Sequence, residues 1–74
     1  MKIYKIHHKE FEWDAYMGHV IVASNDEQVI ELAKKLKDGA EPVGVWDSAI
    51  IECVGVYAGE VTQPFILLSD YRAG

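Results

Sequence analysis

The sequence predicts an α+β fold: a small β-β-α-β-β sheet of about four strands with one helix on one face. Three observations carry this. The stretch from Ser24 to Gly39, SNDEQVIELAKKLKDG, reads as one amphipathic helix with both ends marked. Runs rich in β-branched and aromatic residues lie on either side of it. With 74 residues, the chain holds a single domain, residues 1–74, and a core of that size is served by two layers.

Lys2 to His8, KIYKIHH, is the first strand, with Ile3, Lys5 and His7 on one face and Tyr4, Ile6 and His8 on the other. Lys9 to Met17 interleaves Phe11, Trp13 and Tyr16 with Glu10, Glu12 and Asp14, and suits a long hairpin turning near Asp14-Ala15. Gly18 allows a bulge, and His19 to Ala23, HVIVA, completes a second strand antiparallel to the first.

The helix begins with Ser24 and Glu27, or with Asn25 and Gln28 one residue on, as a capping box. Asp26 and Glu27 suit its positive end, and Lys34, Lys35 and Lys37 its negative end. Val29, Leu32, Ala33 and Leu36 form one buried stripe. Gly39 is placed to end it and Pro42 to stop any continuation.

Residues 40–48 read as a loop in which Val43, Val45 and Trp46 can anchor on the core. Ala49 to Tyr57 is the third strand, Gly59 turns the chain, and Phe65 to Asp70 is the fourth. Strands two and three flank the helix, so a crossover can make them parallel neighbours. The second, third and fourth strands carry apolar residues on both faces, with Phe65 and Leu67 opposing Ile66 and Leu68. One helix covers one face, so a second copy of the chain is expected on the other, giving a homodimer or a higher homo-oligomer.

Twelve acidic residues outnumber seven basic ones, for a net charge of −5, which argues against nucleic acid as a partner. No apolar run approaches the ~20 residues of a membrane span, and the N-terminal MKIYKIHHKEFEW lacks the apolar core of a secretory signal. Cys53 is the only cysteine, so no internal disulfide forms. A cytoplasmic setting is therefore expected.

Catalytic signatures are missing: there is no phosphate loop, nucleophile elbow or dinucleotide fingerprint. His7 and His8 point to opposite faces of a strand and no paired-ligand spacing exists, so neither a metal nor a cofactor is expected. Cys53 reads as a buried, inert thiol. A non-enzymatic role follows. The aromatic residues in or beside loops, together with the single arginine, are the candidate ligand contacts: Trp13, Tyr16, Trp46, Tyr71 and Arg72. Rings can sandwich a base or ribose, and a guanidinium can clamp a phosphate. The competing reading is that these rings pack the edges of a small core.

The tail VTQPFILLSDYRAG, from Val61 to Gly74, resembles the ending of small phage and prophage proteins: a turn, an apolar strand, then S-D-aromatic-x-A-G. The run VIVASNDEQVIELA is similar to their second strand, polar cap and acidic helix start, and Trp46 and Ile51-Glu52 fall where such proteins carry a Trp and an I/V-E pair. The resemblance spans most of residues 18–74. It implies a role against bacterial defence in the host-cell cytoplasm. One form of that role is a sponge for a nucleotide immune signal of the ADP-ribose or cyclic-nucleotide class. Another is a protein–protein inhibitor of a host defence protein that acts through its acidic surface. A third reading is a structural, oligomerising domain without ligand.

Overall fold

A computed structural model describes residues 1–10, 15–36, 44–60 and 62–72. Four strands and one helix follow in the order β1 (Lys2–His7), β2 (Ala15–Ala23), α1 (Asp26–Lys35), β3 (Ile50–Val56) and β4 (Phe65–Arg72). The fold is α+β, with one four-stranded sheet ordered β3-β1-β2-β4. Every neighbouring pair is antiparallel.

The β1–β2 pairing expected from the short connection is present, with Lys2 opposite Ala23 and His7 opposite Gly18. Of the expected turn near Asp14-Ala15, Ala15 belongs to β2 and is fully buried, and Asp14 lies outside the described residues. β2 and β3 run in the same direction but are not neighbours, which corrects the expected parallel pairing. β1 lies between them, because the hairpin leaves the far edge of β1 free and β3 adds there. The connection through α1 therefore passes across β1.

The helix starts at the second of its two possible caps. Asn25 Oδ1 accepts from the Gln28 N–H at 3.0 Å, and Gln28 Oε1 accepts from the Ser24 N–H at 2.7 Å. The first bond satisfies an N–H group that a helix start leaves bare, and the second ties the residue before the cap to the first turn. The last helical residue is Lys35 and Leu36 is its C-cap, earlier than the expected end at Gly39, which lies outside the described residues. Val29 and Ala33 are fully buried, with Ile30 and Leu32 packed beside them.

At about 1.5 Å per residue, the ten-residue helix spans about 15 Å, roughly half the length of nine-residue β2. It cannot cover the whole strand. Val45 and Trp46 join the same core cluster as Tyr4, Ile6, Ile21 and the helix residues, from the turn at 44–48. Lys34 Nζ meets Asp47 Oδ1 at 2.7 Å and links the last helical turn to that segment. Both side chains are about half exposed, so the pair adds at most ~1 kcal/mol.

Three register shifts decide which side chains share a face. One extra residue enters β3 at Val54, one enters β2 at Met17, and one enters β4 at Leu67. Each interrupts the two-residue alternation. Phe65 and Leu68 consequently share the open side, with Val22 and Val20 opposite them, whereas plain alternation sets them on opposite faces. Tyr16 turns to the helix side, where its ring lies 5.2 Å from that of His19.

Part of the open side is closed by the chain itself. Val22 points there yet is fully buried. The Tyr57 and Phe65 rings meet edge to face at 5.5 Å as the chain crosses from β3 to β4, and the Tyr57 N–H donates to the Met1 carbonyl at 3.0 Å. A Cβ at Gly59 would meet the outer edge of the Tyr57 ring, which would have to shift to make room for it.

Candidate ligand-binding site

The other end of the open side stays uncovered by the described residues. It forms a concavity of about 430 Å³ bordered by Lys5 and His7 of β1, Gly18 of β2, and Leu68, Asp70 and Arg72 of β4. The volume falls within the range of small-molecule sites. Gly18 forms part of its floor: a Cβ there would sit 2.9 Å from the Ile6 carbonyl oxygen and 3.2 Å from His7 Cβ. The absence of a side chain lets β1 and β2 approach and keeps the floor low.

The concavity brings together cations and carboxylates. Arg72 Nη2 donates to Asp70 Oδ2 at 3.3 Å, and Arg72 Nε lies 3.3 Å from Asp70 Oδ1 as an ion-pair contact. His7 Nε2 lies 3.9 Å from Glu52 Oε1 on the adjoining edge strand. Lys5 has no ion pair within 4 Å among the described residues. Glu52 stands opposite Lys5 in the β1–β3 register, yet an anion entering here has no Lys5 ion pair among the described residues to displace.

The five sequence-predicted contacts do not gather in one place. Arg72 borders the concavity. Tyr16, Tyr71 and Trp46 lie on the helix side of the sheet, and Trp13 lies outside the described residues. Tyr16 and Tyr71 belong to β2 and β4, not to loops, because β4 continues to Arg72 and β2 begins at Ala15. Their rings meet at 4.8 Å. Trp46 is only 4% exposed and fills the core.

Trp46 is held between two buried histidines. Its ring centroid is 4.9 Å from that of His8, nearly perpendicular, and 5.0 Å from that of His19. His8 Nε2 lies 2.7 Å from the Tyr16 carbonyl oxygen, which can only accept, so Nε2 carries a proton. His19 Nδ1 lies 2.7 Å from Ser69 Oγ and ties β2 to β4. Two atoms in this cluster, His8 Nδ1 and Trp46 Nε1, are buried without a hydrogen-bond partner among the described residues. Each such group costs roughly 1–3 kcal/mol, offset here by the area the rings bury.

The expected opposition of His7 and His8 holds: His7 borders the open concavity while His8 is buried on the helix side. Cys53, expected to be buried, is exposed, because β3 is an edge strand. Among the described residues no three His, Cys, Asp or Glu side chains are grouped to hold a metal ion. No helix among them is long and apolar enough to cross a membrane.

Lys5, His7, Gly18 and Asp70 were not among the sequence-derived contacts. Alternation already set Lys5 and His7 on one face of the first strand. That they share a concavity with Arg72 depends on β2 lying between β1 and β4. Compared with models of known families, with curated proteins and with solved structures, the chain matches none.

Proposed function

We propose that the protein is a non-catalytic module that binds a small anionic, nucleotide-derived compound on the open side of its sheet. The observation that carries this reading is the concavity bordered by Lys5, His7 and Arg72, with Gly18 in its floor. Few charges are needed to hold a small anion, so the net charge of −5 does not oppose it. The likeness to phage proteins supplies the biological setting: sequestration, in the host cytoplasm, of an ADP-ribose or cyclic-nucleotide immune signal. Tyr16, Trp46 and Tyr71 act in this reading as packing residues, and Arg72 as the ligand contact.

Calorimetric titration with ADP-ribose and with cyclic nucleotides tests the proposal, alongside thermal unfolding. A ligand at one hundred times its Kd stabilises the fold by about 2.7 kcal/mol. Arg72→Gln should weaken binding about tenfold, the value of one charge-assisted contact. No heat and no added stability with any of these compounds at millimolar concentration would count against the proposal.

Self-association is a second reading, favoured by a separate observation. Among the described residues the exposed large apolar side chains are Ile50, Val54 and Val56 on β3 and Leu67, Leu68 and Tyr71 on β4. These are the two edge strands, where unpaired backbone groups and apolar side chains together invite another chain.

A further inference from the structure

We infer that Asp70 is an internal competitor for Arg72, and that the concavity therefore selects guests bearing a diphosphate over guests bearing a single negative charge. The inference rests on the anion-binding reading and concerns the same site.

Asp70 and Arg72 are two residues apart on β4, so both project to the open side, and both border the concavity. The guanidinium meets the carboxylate at two points, a hydrogen bond from Nη2 to Oδ2 and an ion-pair contact of Nε with Oδ1, each at 3.3 Å. That fork fits a carboxylate and a phosphate equally well. The pair is about half exposed, 49% for Arg72 and 55% for Asp70, so water screens it and an incoming anion can displace it. Asp70 therefore occupies, within the chain, the place on Arg72 that a ligand oxygen would take.

A guest with one negative charge gains from Arg72 little more than Asp70 already supplies, and it is repelled by the released carboxylate. A diphosphate can recover that loss, because its second charged group reaches for another cation. Lys5, in the same concavity and without an ion pair among the described residues, is the available one. His7 is less available, with Glu52 Oε1 at 3.9 Å from its Nε2. Within nucleotide-derived compounds this favours those with adjacent charged phosphates, such as ADP-ribose, over a cyclic monophosphate.

The test is calorimetry at low salt with ADP-ribose, inorganic pyrophosphate and 3′,5′-cyclic AMP. The proteins are the wild type, Asp70→Asn, Asp70→Asn with Arg72→Gln, and Glu31→Gln. The last makes the same charge change on the exposed helix surface. The wild type should bind the two diphosphates more tightly than cyclic AMP. Asp70→Asn should tighten binding of all three about five- to tenfold and narrow the preference, as expected for removing one screened like charge and freeing one guanidinium. Glu31→Gln should change affinity less than twofold, and Arg72→Gln should abolish the gain. A silent wild type with a binding Asp70→Asn variant also supports the competitor. If the wild type binds and Asp70→Asn is no tighter than Glu31→Gln, the competitor is overturned while the ligand reading stands. Equal wild-type affinity for cyclic AMP and pyrophosphate overturns the diphosphate preference. If neither the wild type nor Asp70→Asn binds, both inferences fall.

Discussion

Trp46 shows how one side chain can serve packing while looking like a ligand contact. It comes from a turn, as an aromatic ligand platform would, but the short helix leaves a gap on the sheet that the indole fills between His8 and His19. Its Nε1 has no partner among the described residues, so its contribution is area, not hydrogen bonding. Trp46→Phe should therefore cost less than about 1.5 kcal/mol, since it keeps an aromatic ring and removes an unsatisfied donor. Trp46→Ala should cost roughly 3–5 kcal/mol by leaving a cavity. Urea unfolding of both variants checks the pair, and equal losses would show that Nε1 makes a stabilising bond. Gly18 also acts at this scale: its missing side chain serves both the β1–β2 approach and the floor of the concavity.

At the scale of elements, the helix and the edge strands follow different rules. The helix start depends on local chemistry, and two overlapping capping boxes were readable at Ser24 and Asn25. Only the bonds decide between them: Asn25 is the cap, and Gln28 reaches back to the Ser24 N–H. Asn25→Ala should cost about 1 kcal/mol, and Ser24→Ala, whose side chain makes no capping bond among the described residues, clearly less. Thermal unfolding of the two variants distinguishes the caps; the reverse order would place the cap at Ser24. For the edge strands, alternation holds only between bulges. The sequence of β3 reads IIECVGV, yet Val54 adds a residue opposite the Ile3–Tyr4 step, and Val56 then lies opposite Lys2 instead of sharing a face with Glu52. No composition rule marks those positions, because a bulge is set by how the partner strand fits.

For the whole molecule, strand order is the decisive property. Setting β1 and β2 in the middle buries Ile6, Ile21 and Val22 fully and leaves β3 and β4 as edges carrying the exposed apolar side chains. A second copy covering the entire open side is not required, because Tyr57 and Phe65 already close one end. Association through the edges remains the second reading, and it has its own measurement. Light scattering over a concentration series should show a mass above that of a monomer. Val56→Lys, at a side chain 77% exposed on β3, should lower that mass without loss of stability. A monomer up to millimolar concentration would remove this reading and leave ligand binding untouched.

Legible in the residues alone were the four strands and their order along the chain, the helix and its polar cap, and the opposite facing of His7 and His8. All of these follow from local propensity, period and capping, which act over a few residues. Tertiary structure alone decided the sheet order, the three bulges and the side on which each aromatic ring lies. It also decided that Arg72 and Asp70 border one concavity with Lys5 and His7, while Tyr16, Trp46 and Tyr71 face the other way. Those outcomes depend on which strand pairs with which, and in what register. A shift of one residue transfers a side chain from one face of a sheet to the other.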